Sequence, residues 1–266
     1  MIKKSIIHIL LFSVFCFQLQ AQITEGKHNL FDNWSLGFGI GLIEFHGDIV
    51  ENKAVVPVSS VQLSVPIVNQ KYSFQAEFIK GTISGQNLFS ALCDNPRHTI
   101  EGVPVQHPRE GERFNMEFME FDINLLIKLS ALFNEIIERR ISVETGSTVK
   151  DKSYKLDFLC KVGVGLNMFR SLRQELATEQ FINSYGYDWM WQNDFENAGT
   201  KKHDNVNEGV FVLGIIAKYK ILKWVDIDFS GTSRIGNTDK WDAKLNGKND
   251  MFMFYSLGAT FRLGQH

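Results

Sequence analysis

The stretch Tyr154-Lys155-Leu156-Asp157-Phe158-Leu159-Cys160-Lys161-Val162-Gly163-Val164-Gly165-Leu166-Asn167-Met168 decides the fold. Tyr154, Leu156, Phe158, Cys160, Val162, Val164, Leu166 and Met168 take alternate positions, with Lys155, Asp157, Lys161, Gly163, Gly165 and Asn167 between them. Successive side chains of a strand point to opposite faces, so one face is apolar and the other small or charged. Such a run is longer than the ~5 to 6 residues of a soluble strand. It fits the ~9 to 11 residues a tilted strand needs to cross a bilayer.

The same pattern extends in both directions. Trp34, Leu36, Phe38, Ile40 and Leu42 alternate with Ser35, Gly37, Gly39 and Gly41. Val61, Leu63, Val65 and Ile67 alternate with Ser60, Gln62 and Ser64; after the polar turn Asn69-Gln70-Lys71, Tyr72, Phe74, Ala76 and Phe78 alternate with Ser73, Gln75 and Glu77, which predicts a hairpin. In residues 113–129, Phe114, Met116 and Phe118 share one parity and Met119, Phe121, Ile123, Leu125 and Ile127 the other, which predicts a β-bulge near Phe118. Residues 209–219 are apolar on both faces, with Phe211, Leu213, Ile215, Ala217 and Tyr219 as the outer row. Val225, Ile227 and Phe229 face away from Asp226, Asp228 and Ser230; Met251, Met253, Tyr255, Leu257, Ala259, Phe261 and Leu263 face away from Ser256, Gly258, Thr260 and Arg262.

These segments predict an all-β chain, an eight-stranded antiparallel transmembrane β-barrel of the outer membrane with long extracellular loops. A secreted β-sandwich is the alternative, since its strands also alternate. Charge placement favours the barrel: Glu77, Glu120, Asp122, Asp157, Lys161, Asp226, Asp228 and Arg262 all fall on the non-apolar face, where a small barrel fills its lumen with side chains. Gly37, Gly39, Gly41, Glu77, Asp157, Lys161, Asp226, Asp228 and Arg262 are the candidate lumen-lining residues. The connections agree. Residues 46–57, 85–112, 171–208 and 237–249 make long loops at one end, and 69–71 and 220–223 make short turns at the other, the outer-membrane pattern.

Residues 130–153 break that pattern at the short-turn end. Ala131, Leu132, Ile136 and Ile137 lie at helical spacing on one side, with Asn134, Glu135, Glu138, Arg139 and Arg140 mostly on the other. A helix this short needs packing on its apolar side, against the barrel rim, the lipid or a partner. Leu132, Ile136, Glu138, Arg139 and Arg140 are therefore candidate partner-binding residues. A second set is the aromatic cluster Tyr185, Tyr187, Trp189, Trp191 and Phe195, which either caps its own loop or grips a glycan or protein. Within it, Tyr187, Trp189 and Trp191 are the partner-binding candidates.

Residues 1–21 have a basic start at Lys3 and Lys4, an apolar run at 6–17 and a small Ala21, the form of a cleaved secretory signal peptide. Residues 22–266 then form one barrel domain. The chain carries 28 Lys+Arg against 30 Asp+Glu, and 26 against 30 once Lys3 and Lys4 are removed, a balance that indicates no nucleic-acid partner. Cys16, Cys93 and Cys160 lack the spacing of a zinc site or disulfide framework, and no cofactor is expected. No nucleophile-elbow, zincin, phosphate-loop or dinucleotide motif is present. His46 with Asp48, His98, His107, and His203 with Asp204 would be the residues of a rim enzyme acting on lipid or peptide. Polar loops collect such residues without catalytic geometry, so the expectation is a non-enzymatic protein.

Four segments resemble the PorG-like outer-membrane barrels of Bacteroidetes, which are associated with the type IX secretion apparatus. They are Gly37-Phe38-Gly39-Ile40-Gly41-Leu42 followed by Phe45-His46-Gly47-Asp48; residues 157–166; residues 219–228 with Asn237-Thr238-Asp239-Lys240-Trp241-Asp242; and Asn249-Asp250-Met251-Phe252 with Tyr255-Ser256-Leu257-Gly258. The resemblance implies a barrel set in outer-membrane lipid that anchors or scaffolds an envelope assembly as a type IX secretion component. It further implies a periplasmic secretion-ring lipoprotein as partner, docked at residues 130–153.

Overall fold

The computed structural model describes residues 34–47, 49, 52–53, 56–68, 71–87, 99–100, 103–104, 111–131, 155–179, 181–187, 202–244 and 249–263. In chain order the strands are β1 (Ser35–His46), β2 (Asn52–Lys53), β3 (Pro57–Val68), β4 (Tyr72–Asn87), β5 (Thr99–Ile100), β6 (Val103–Pro104), β7 (Glu112–Lys128), β8 (Leu156–Glu175), β9 (Phe181–Tyr185), β10 (Val206–Lys220), β11 (Val225–Gly236) and β12 (Met251–Arg262). Eight of them, β1, β3, β4, β7, β8, β10, β11 and β12, pair antiparallel in that order, and β12 pairs back onto β1. The ring is closed. Closure pairs the backbone groups of the wall, which an apolar solvent otherwise leaves unsatisfied.

The outer face is apolar all round. Ile40 is 70% exposed, Val164 62% and Phe229 58%, and Ile215, Leu257 and Phe121 stand on three further strands with the same orientation. A continuous apolar surface of this kind is stable in lipid and not in water. Towards the short-turn end, Trp224 stacks on Phe261 at 6.1 Å and Phe38 meets Phe261 edge-on at 6.5 Å, an aromatic girdle. Among the described residues no helix is long and apolar enough to cross a membrane; the strands do so.

Two expectations change. β7 keeps an unbroken register with both β4 and β8, so there is no bulge at Phe118. Phe114, Met116 and Phe118 instead point inward and are buried with Phe45, Phe252 and Phe254. The parity switch marks a change in what fills the lumen, from polar to apolar, and the backbone does not respond to it. The loop expected at 171–208 also begins later: β8 continues to Glu175 and β9 pairs back onto it. At the long-loop end β2 adds to β4, and β5 and β6 make a separate small hairpin. At the other end, residues 129–131 turn helical directly after β7. The amphipathic segment from Leu132 onward lies outside the described residues, as do residues 1–21.

Candidate functional site

The lumen is built in layers, each set by which inward positions carry which residue types. Nearest the short-turn end, Arg262 donates to Asp226 through Nε at 3.1 Å and Nη2 at 2.7 Å, and Lys218 lies 3.6 Å from Asp228. Gln62 donates to Asp228 at 3.2 Å and Thr260 donates to it as well. At that rim the Lys128 ammonium meets Asp157 at 2.8 Å and the Ser130 hydroxyl donates to the same carboxylate at 2.9 Å. This pins the helical turn to the barrel. Of the expected lumen residues, Glu77, Lys161, Asp226 and Asp228 are buried, while Asp157 and Arg262 sit half-buried near the rim.

The middle layer centres on Arg234, which is fully buried. Its Nε donates to Glu120 at 2.6 Å and its Nη2 to Glu77 at 2.8 Å, and the same Glu77 oxygen accepts from Lys161. Asn167 donates to the second oxygen of Glu120 at 3.2 Å. The guanidinium also lies 5.0 Å from the centre of the Phe254 ring. Small residues on β1 leave room for this filling: a Cβ at Gly41 would strike the Tyr255 carbonyl and come within 2.6 Å of Phe254, and one at Gly39 would lie 2.7 Å from the Ser60 hydroxyl. Gly37 faces Gln62 in the same way.

Beyond Arg234 comes an apolar plug, with Phe118 against Phe252 at 5.6 Å and Phe45 against Phe114 at 5.1 Å. The β11–β12 loop covers it. Trp241, fully buried, packs on Phe252 at 5.4 Å, and the loop is tied down on all sides. Ser171 donates to the Trp241 carbonyl at 2.6 Å and Asn183 to that of Ala243 at 2.9 Å. The Asp242 carboxylate accepts from the Ile49 amide at 3.2 Å, that of Asp250 accepts from the Trp241 amide at 2.8 Å, and Glu112 holds both Lys244, at 3.2 Å, and Arg173. Among the described residues the lumen is thus filled with side chains and capped by the β11–β12 loop.

At the outer rim Tyr187 bridges to Lys202, whose ammonium lies 2.7 Å from Glu117. Partial burial, and after it the nearby Glu117 carboxylate, push the Tyr187 phenol up; the hydrogen bond to Glu117 raises Lys202. Leu132, Ile136, Glu138, Arg139, Arg140, Trp189 and Trp191 lie outside the described residues. So do Asp48, His98 and His107 of the rim-enzyme reading. His46 faces Glu44 at 3.6 Å, and His203 uses its backbone, donating to Gly186 at 2.9 Å and accepting from Arg170 at 2.7 Å. Among the described residues no group of three or more His, Cys, Asp or Glu is placed to hold a metal ion. Arg234 is absent from the sequence reading, and Trp241 and Asp242 enter it only within a segment of the resemblance, with no role given to them. The first was within reach, because the inward parity of Asp226 and Asp228 continues through Thr232 to Arg234.

No protein-family model matches the chain, and no curated protein matches it in sequence. Solved structures similar to it are small outer-membrane proteins. The crystal structure of Neisserial surface protein A is 8% identical with a TM-score of 0.42, covering 86% of this chain and 97% of that one. A major outer membrane protein from Thermus thermophilus is 11% identical with a TM-score of 0.40, over 86% and 98%. Ail, the attachment invasion locus protein of Yersinia pestis, is 9% identical with a TM-score of 0.38, over 86% and 95%.

Proposed function

We propose that this chain is an outer-membrane β-barrel, exported through a cleaved signal peptide at residues 1–21, that anchors or scaffolds an envelope assembly and performs no catalysis. The observation that supports this is the lumen: an ionic layer, an aromatic plug and an inward-folded loop fill it in series, which leaves the rims and the outer wall as working surfaces. The resemblance to PorG-like barrels supplies the finer reading, a type IX secretion component whose partner is a periplasmic ring lipoprotein. The tie of Lys128 and Ser130 to Asp157, which holds the start of the amphipathic segment at the rim, supports assigning that contact to this end of the barrel.

The test is a mild-detergent pull-down of the tagged full chain from native membranes, read by mass spectrometry, alongside a variant in which residues 132–140 are replaced by a Gly-Ser turn. Wild type retains a periplasmic partner and the variant, still folded, loses it. Retention by the variant moves docking elsewhere, and absence of any envelope partner in wild type sinks the scaffold reading. Joint alanine substitution of His46, His98, His107 and His203 leaves the envelope lipid profile unchanged; a changed profile would restore the rim enzyme.

A further inference from the structure

The short-turn rim carries more positive charge than its carboxylates match. Three cations there are paired: Lys128 with Asp157 at 2.8 Å, Arg262 with Asp226 at 2.7 Å and Lys218 with Asp228 at 3.6 Å. Lys155, Lys220 and Lys223 bring three further positive charges, and among the described residues no carboxylate is in ion-pair contact with them. Residues 132–153, which follow β7 at this end, hold four acidic and four basic side chains and so do not cancel the excess. The whole chain has 28 basic and 30 acidic residues, so the excess is a matter of placement.

Placement also gives it a direction. The Lys220 amide donates to the Lys155 carbonyl at 2.8 Å, which sets the two residues side by side, and Lys223 stands exposed in the turn that follows β10. On the neighbouring side the Lys128 amide donates to the Lys71 carbonyl at 2.8 Å, so lysines line the rim from β4 through β7 and β8 to β10. Lys128, Lys155 and Lys220 have the parity of the inward rows, while Leu156 and Tyr219 beside them are the exposed outward residues. The arc therefore borders the mouth of the barrel and turns away from lipid. One inward position deeper, Leu126, Leu159 and Ile216 are buried together, so whatever the arc holds lies across the mouth.

We infer that this arc docks an acidic segment, a run of Asp and Glu, of a periplasmic partner protein. The inference rests on the reading that such a partner docks at this end, and names the chemistry of the contact. Neighbouring strands lie about 4.8 Å apart, so the lysines repeat at intervals that successive carboxylates of an extended chain can match, whereas a single small anion would meet only one or two of them. Complementary charge at an exposed rim steers the encounter and selects the partner.

The full chain in phosphatidylcholine nanodiscs, probed by fluorescence anisotropy with a labelled octaglutamate peptide, tests this. Wild type binds octaglutamate and not octalysine, and its affinity falls about threefold between about 0.1 and 0.3 M salt. The combined variant Lys155→Gln, Lys220→Gln, Lys223→Gln, checked for heat-modifiable migration, binds about tenfold more weakly. The preference between the two peptides does not depend on the variant folding. Equal binding of both peptides, or equal binding of octaglutamate by wild type and variant, overturns the arc. If wild type ignores octaglutamate but retains more phosphatidylglycerol than the variant on extraction from mixed lipid, the arc holds lipid headgroups and the proposal falls. In the native-membrane pull-down, loss of the periplasmic partner from the combined variant supports the proposal, and its retention overturns the docking role. Octaglutamate binding with no envelope partner on wild type leaves the arc standing as an acidic-peptide site and sinks the scaffold reading instead.

Discussion

Arg234 shows how one residue can hold a barrel's interior. It reaches Glu120 on β7 and Glu77 on β4 from β11, joining walls far apart in sequence, and lies against Phe254 of the neighbouring strand. Arg234→Ala leaves Glu120 and Glu77 short of their cation, so we expect a loss of about 3–5 kcal/mol, measured by urea unfolding in lipid vesicles. A loss under about 1 kcal/mol would show that the layer is not knit by this side chain. On the facing wall the constraint is space. Gly41→Val places branched atoms against the Tyr255 backbone and the Phe254 ring, neither of which can swing away, so outer-membrane levels of that variant fall steeply while Gly39→Ala, whose one close neighbour is the rotatable Ser60 hydroxyl at 2.7 Å, accumulates. Immunoblots of membrane fractions distinguish the two.

Among elements, the β11–β12 loop does most to decide what the barrel can do. It is tied to β8, β9 and the chain at Ile49, with Trp241 as the side chain it inserts. Trp241→Ala empties a large buried volume against Phe252 and should cost about 3–5 kcal/mol. The first measurable consequence is faster proteolysis in residues 237–250 with the strands still protected. Cleavage spread evenly over the strands would instead mean that the loop supports the wall. On the sequence side, β8 up to Met168 and β12 from Tyr255 were legible because their outward rows are apolar and their inward rows mostly small or polar; the continuation of β8 to Glu175 and the inward Phe252 and Phe254 were not. β7 was not: its inward row changes from polar to apolar at Phe118, and period 2 alone reads that as a slip of the chain.

For the whole molecule, closure and filling make two separate predictions. A ring with every wall strand paired resists detergent until heated, so unboiled and boiled samples migrate differently on gels. Identical mobility would contradict the closed ring. Plug and cap fill the lumen in series, so the purified protein in planar bilayers shows no steady conductance, and Trp241→Ala alone does not change that, because the aromatic plug remains below the loop. Stable channels in wild type would mean that the cap opens.

The sequence by itself determined the class, the eight wall strands and, outside the first half of β7, which face of each meets lipid, because a strand in a membrane must alternate and that alternation is a local property of the chain. It also placed Glu77, Lys161, Asp226 and Asp228 on the inward face by parity alone. Only the tertiary structure decided what these charges do there. Glu77 meets Lys161 and Arg234 across 84 and 157 residues of chain, and Trp241 packs in one core with Phe45 from the opposite end of the sequence. Such partners are chosen by barrel closure and register, which bring distant inward rows to the same height, and no local pattern encodes that height.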